Sequence, residues 1–124
     1  MKFLDSLAPH VHWLIRASVA ATFVYHGIPK FSADAGGLVN MGLPLSVGWA
    51  VAATEVIGGL AVIGGAFTND MVTRFGGLCV VVIMIGAYLM TNLGNGWSSM
   101  NDGAEYTALL FACGLLFLTR GNKV

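Results

Sequence analysis

Four stretches of this chain, residues 9–29, 45–67, 71–90 and 103–119, run long, apolar and almost free of charge. Each approaches the ~20 residues that a helix needs to cross about 30 Å of hydrocarbon. Lipid offers the backbone no hydrogen-bond partner, so a segment inside it must satisfy its own amides, as a helix does. The expected fold is all-α, a four-helix transmembrane bundle forming a single domain over residues 1–124. Composition removes the main alternatives. Hydrophobic residues make up 56% of the 124 and charged residues only 10%, whereas a soluble domain carries about 25% charged residues to coat its surface. Six acids against six bases leave no basic patch for nucleic acid.

The connecting segments, SADAGGLVNMGLP, TND and NLGNGWSSMND, are short and polar or glycine-rich, with no room for a soluble domain. Asn69 and Asp70 are placed to cap the third helix and Asn101 or Asp102 the fourth, whose first turn carries Glu105 favourably against the helix dipole. The leading MKFLDSLAPH shows no small-residue cleavage site, so the first helix is expected to be retained. An even number of spans puts both termini on one side. That side collects Lys2, Arg74, Arg120 and Lys123, the other keeps only Lys30, and the positive-inside rule makes both termini cytoplasmic. Trp13, Trp49 and Trp97 fall near helix ends, as interfacial anchors do.

Helices in lipid associate through close backbone approach, because the tails are as apolar as leucine. On the second span Gly48, Ala52, Glu55, Gly59, Val62 and Ala66 share one stripe, a small-residue face carrying one carboxylate. Gly76, Gly77 and Gly86 are expected to act similarly on the third.

A charge near mid-membrane costs about 2.5–3.5 kcal/mol on insertion scales, so each one calls for a partner, a water cavity or a function. Arg16 and Glu55 are the deepest, and a long arginine side chain can reach toward mid-membrane to meet the carboxylate. Arg16, Ala20, Phe23, Gly27 and Lys30 line one face of the first helix, so Arg16 and Lys30 are expected to bracket a polar column neutralised by Glu55 and Glu105. Two readings stand side by side: a buried ion pair that fixes helix register, or a ligand or redox site. Under the second, Lys30, His26 and Tyr25 donate hydrogen bonds to a ligand, Glu55 or Glu105 relays protons, and Phe23 with Trp49 flanks a ring. The inner half is expected to be plain packing. The outer half gathers His26, Lys30, Glu55, Glu105, Trp49 and Trp97 around one pocket.

His26 has no second histidine at ligand spacing, and His10 and His12 read as interfacial, so no metal site is expected. Cys79 and Cys113 sit at similar depth in neighbouring spans, where a thiol pair is conceivable but a small buried hydrophobe is the commoner role.

The segments HGIPKF, EVIGGLAVIGGAFTND and GNGWSSMNDGAEYTALLF, with Arg16, Gly27, Lys30, Glu55, Gly58, Gly59, Gly64 and Glu105 in order, resemble the DoxX family of small four-helix membrane proteins. The resemblance implies a subunit near quinone or thiol chemistry in a bacterial inner membrane, with Arg16, Lys30, Glu55 and Glu105 at the positions matching the family's polar set. No flavin, haem, iron–sulfur or nicotinamide motif is present, so an oxidoreductase subunit of this kind has no cofactor of its own. Its electrons come from a partner protein, and quinone is the one expected small molecule. The expected partners are the lipid bilayer and other membrane proteins, in a homo- or hetero-oligomer. The competing reading is a non-enzymatic structural or assembly subunit docking against a larger membrane complex. A solute carrier is a third, and would need an oligomer to build a path.

Overall fold

The computed structural model describes residues 1–124, and all its regular elements are helices, with no strand. Its helices are α1 (Lys2–Leu7), α2 (His12–Gly27), α3 (Leu45–Gly64), α4 (Asp70–Ala87) and α5 (Glu105–Arg120). Helix α1 buries nothing. The other four pack in chain order, α2 on α3, α3 on α4 and α4 on α5, while α2 and α5 touch little. Successive helices run antiparallel. The start of α2 meets the end of α3 and the start of α4, through Arg16, Val62 and Thr73, and the end of α2 meets the first half of α3.

Two helical stretches, Leu45–Gly64 and Asp70–Asn92, are long and apolar enough to cross a membrane. Only 39% of either is buried inside the bundle, and Ile57, Leu60, Leu78, Val82 and Ile85 point outward. An apolar helix whose larger part faces outward is poorly suited to water and well suited to lipid. Helices α2 and α5 are shorter than expected, 16 residues each, or about 24 Å at 1.5 Å per residue. Proline explains the trimming of α2. Pro9 and Pro29 each sit at the start of a short 3₁₀ turn flanking the helix, because proline lacks the N–H that an α-helix interior needs.

The small-residue stripe on α3 is buried as expected from Gly48 through Val62. A Cβ at Gly59 would stand 3.1 Å from Ala20 O on α2, and one at Gly58 2.6 Å from Cys79 Cβ on α4. Helix α4 makes the same close approach on both sides. A Cβ at Gly76 would lie 2.7 Å from Val62 N, and one at Gly77 would strike Leu118 N on α5. Gly86 departs from expectation, with nothing within 4 Å of the space a Cβ would take. Inside, Val19, Phe23, Val62, Val80, Leu110 and Phe117 form the core.

Asn69 caps α4 as expected, its Oδ1 accepting from Val72 N at 3.1 Å. The cap of α5 is different. Its N-cap is Ala104, without a side-chain bond, and Asp102 adopts a left-handed φ of 56°, so neither Asn101 nor Asp102 caps the helix. Glu105 instead reaches back to the preceding loop, accepting from Ser99 N at 3.1 Å. Past Ala87, α4 loosens into a π-helical turn, Tyr88–Asn92, a feature frequent at functional sites.

Candidate functional site

The inward face of α2 is as its spacing predicts: Arg16, Ala20, Phe23 and Gly27 are buried. Its two cations, however, have different partners at opposite ends of the bundle.

At one end Arg16 is 1% exposed and meets no carboxylate. Its Nη1 donates to Val62 O and, at 3.0 Å, to Thr73 Oγ1. Nη2 donates to Asn122 Oδ1 at 2.9 Å, and Nε to His12 Nδ1 at 3.0 Å. The Phe117 ring lies 5.3 Å from the guanidinium carbon, within cation–π range. Asn122 joins this end together. Beyond Arg16, its Oδ1 accepts from Thr73 Oγ1 at 2.6 Å, its Nδ2 donates to Gly65 O at 2.9 Å, and its N–H donates to Asp70 Oδ1 at 2.7 Å. The turn that brings it there needs Gly121, whose φ of 55° is left-handed and whose missing Cβ leaves room for the Asp70 carboxylate. The expected Arg16–Glu55 pairing is therefore not formed. Neutral oxygens nearer the helix ends reach the guanidinium first, and this end is a polar network rather than plain packing.

At the other end, Lys30 and Glu55 form the ion pair. The ammonium lies 3.0 Å from both carboxylate oxygens, with side-chain exposures of 20% and 7%, and Lys30 also donates to His26 O at 3.1 Å. Close approach of α2 and α3 makes this possible: a Cβ at Gly27 would lie 3.0 Å from Glu55 Cβ.

Above the pair opens a cleft of about 380 Å³, with walls from all four long helices. Phe23, Ile83, Met84 and Leu110 form its apolar part, and His26, Lys30, Glu55, Asn92, Asp102 and Tyr106 are among its polar residues. The volume falls within the ~300–1,000 Å³ usual for small-molecule pockets. Much of the polar lining is already satisfied. Thr107 Oγ1 donates to Asn92 Oδ1 at 2.6 Å, Asn92 Nδ2 donates to Asp102 O at 2.7 Å, and Thr91 Oγ1 donates to Ala87 O. The His26 imidazole and Tyr106 phenol bond to no protein group.

Of the residues expected here, Phe23, His26, Lys30 and Glu55 come together and Glu105, Trp49, Trp97 and Tyr25 stand apart. Glu105 is exposed and held by the loop at Ser99. Trp49 donates from Nε1 to Ser32 O at 2.9 Å, Trp97 is 65% exposed, and Tyr25 stacks edge-on against His26 at 5.5 Å outside the cleft. The expected column of two bases and two acids is thus a single pair. Cys79 and Cys113 are free thiols, Cys79 filling the space opposite Gly58. Sequence reading overlooked Asn92, Asp102, Tyr106 and Thr107. One signal was available, since Thr107, Leu110, Gly114 and Phe117 are spaced as one buried face of α5, whose polar outer member mirrors Lys30 in the turn after α2.

An all-helical chain with two membrane-capable helices, an apolar exterior and a polar cleft between its helices is a small membrane protein. The family model for DoxX matches residues 12–93, and the chain belongs to the DoxX family. The matched region holds Arg16, Lys30 and Glu55 and ends before α5. No curated protein and no solved structure matches the chain.

Proposed function

We propose that this DoxX protein is an integral membrane subunit of a redox-linked membrane complex, and that the cleft above Lys30 and Glu55 receives a quinone headgroup. The Lys30–Glu55 pair carries this reading. It joins a cation to a carboxylate at 3.0 Å, nearly out of solvent, beside a cleft that also has an aromatic and aliphatic lining. Quinone chemistry asks for that combination: apolar walls for the ring, hydrogen-bond donors for the carbonyls, and a titratable group that moves protons as electrons arrive. Glu55 is the proton-relaying group, Lys30 holds its charge, and His26 binds the headgroup. Electrons come from a partner protein.

All four long helices cross the membrane, α2 and α5 with the help of their flanking turns, in a bacterial inner membrane. The Arg16–Asn122 end faces the cytoplasm and the cleft lies in the outer half. Arg16 serves the bundle rather than the ligand, because its donors are directed to backbone, Thr73, Asn122 and His12.

The small-residue faces of α3 and α4 do not favour the competing assembly-subunit reading, since Gly58, Gly59, Gly76 and Gly77 are already used within the chain. Isolation of the complex carrying Glu55→Gln separates the two. The proposal expects native partners to co-isolate while quinone-dependent activity is lost; unchanged activity with intact assembly would overturn it.

A further inference from the structure

If the cleft takes a quinone, its own hydrogen bonding limits which groups are free to hold one. Lys30, Asn92, Thr91 and Thr107 are engaged with protein acceptors. Asp102, as a carboxylate, offers no donor to a carbonyl oxygen. Three uncommitted donors remain in the lining: Thr22 and His26 from α2, and Tyr106 from the first turn of α5. Free donors therefore stand on two helices, the first and last of the four long ones, and these touch each other little.

We infer that His26 and Tyr106 hold the two carbonyl oxygens of the headgroup from opposite walls, so that the bound ring bridges α2 and α5 where these helices touch little. The oxygens of a para-quinone lie at opposite ends of the ring, which suits donors on opposite walls and not two donors on one helix. Phe23 and Leu110, also on these two helices and both buried, supply apolar contact beneath the ring. Ligand binding in this arrangement adds a second connection between α2 and α5, whose other ends already meet where Arg16 lies against the Phe117 ring. It should slow local opening of both helix ends together.

This inference rests on the quinone reading of the cleft, and a decyl-tailed benzoquinone titrated into the purified full chain in detergent tests the two separately. The probe is expected to protect backbone amides near residues 22–30 and 105–110 from hydrogen exchange. Tyr106→Phe removes only the phenol oxygen of a side chain 46% exposed, and is expected to weaken binding about three- to tenfold, as does His26→Leu, the range for one lost hydrogen bond. His26→Gln, which keeps an N–H donor, is expected to recover affinity. Binding with unchanged affinity in Tyr106→Phe, or protection confined to one helix, overturns the clamp and leaves the quinone reading standing. No binding by the unaltered chain overturns both.

Discussion

Lys30 places its ammonium 3.0 Å from each carboxylate oxygen of Glu55, joining the end of α2 to the middle of α3 where neither side chain sees much solvent. Removing one member of such a pair strands the other's charge, while removing both strands none. Lys30→Met is therefore expected to destabilise the protein by about 2–3 kcal/mol, somewhat below the cost for a fully buried pair because Lys30 keeps 20% exposure. The double variant Lys30→Met/Glu55→Met is expected to recover most of that loss. Thermal unfolding of the single and double variants in one detergent measures the difference; a double variant as unstable as the single would refute the pairing energetics.

Arg16 is held by geometry as much as by charge. Its planar fork serves Val62, Thr73, Asn122 and His12 at once, which a lysine ammonium cannot do. Arg16→Lys is expected to cost about 2–4 kcal/mol, and Asn122→Ala about 1–3 kcal/mol, through hydrogen-bonding groups left without partners. Because both act on one network, the double variant should fall short of their sum. Additive losses would show that Asn122 does not secure Arg16.

Glycines of identical type are expected to respond with opposite sign. At Gly76 a Cβ would lie 2.7 Å from the Val62 backbone nitrogen, so Gly76→Ala must push α3 and α4 apart, costing about 1–3 kcal/mol. At Gly86 the same substitution meets open space and should stabilise by about 0.5–1 kcal/mol through helix propensity alone. Equal effects at the two positions would contradict the close α3–α4 contact.

The α2 face and the α3 stripe were legible in the sequence because helical periodicity alone determines which residues share a face. Lys30 and Glu55 belong to those patterns, and so the ion pair was within reach. Partners supplied by backbone carbonyls or by a chain segment folding back follow no period. Val62 O and Asn122 therefore leave no mark in the sequence pattern, where Glu55 is the one deep carboxylate that offers itself to Arg16. Tyr106 and Asn92 were missed for a related reason: polar residues near helix ends read as interfacial until a loop such as 93–104 is known to fold over them. Glu105 shows the converse, a carboxylate whose position suggested the interior but whose bond is to Ser99 N in that loop.

Orientation is testable without knowing the ligand. With Cys79 and Cys113 replaced by alanine, a single cysteine at Ser98 is expected to react with a membrane-impermeant maleimide in intact spheroplasts, and one at Lys123 only after the membrane is opened. Labelling of both from the same side would rule out the four-span arrangement with a cytoplasmic Arg16–Asn122 end.

Photolabelling with an azido-quinone, followed by mapping of the modified peptides, tests the quinone cleft most directly. The account predicts adducts on the segments that line it, residues 22–30, 83–92 and 102–110, suppressed by excess decyl-tailed benzoquinone and reduced in Glu55→Gln. Adducts spread over lipid-facing positions such as Leu14, Leu60 and Leu78, insensitive to competitor and to Glu55→Gln, would contradict it.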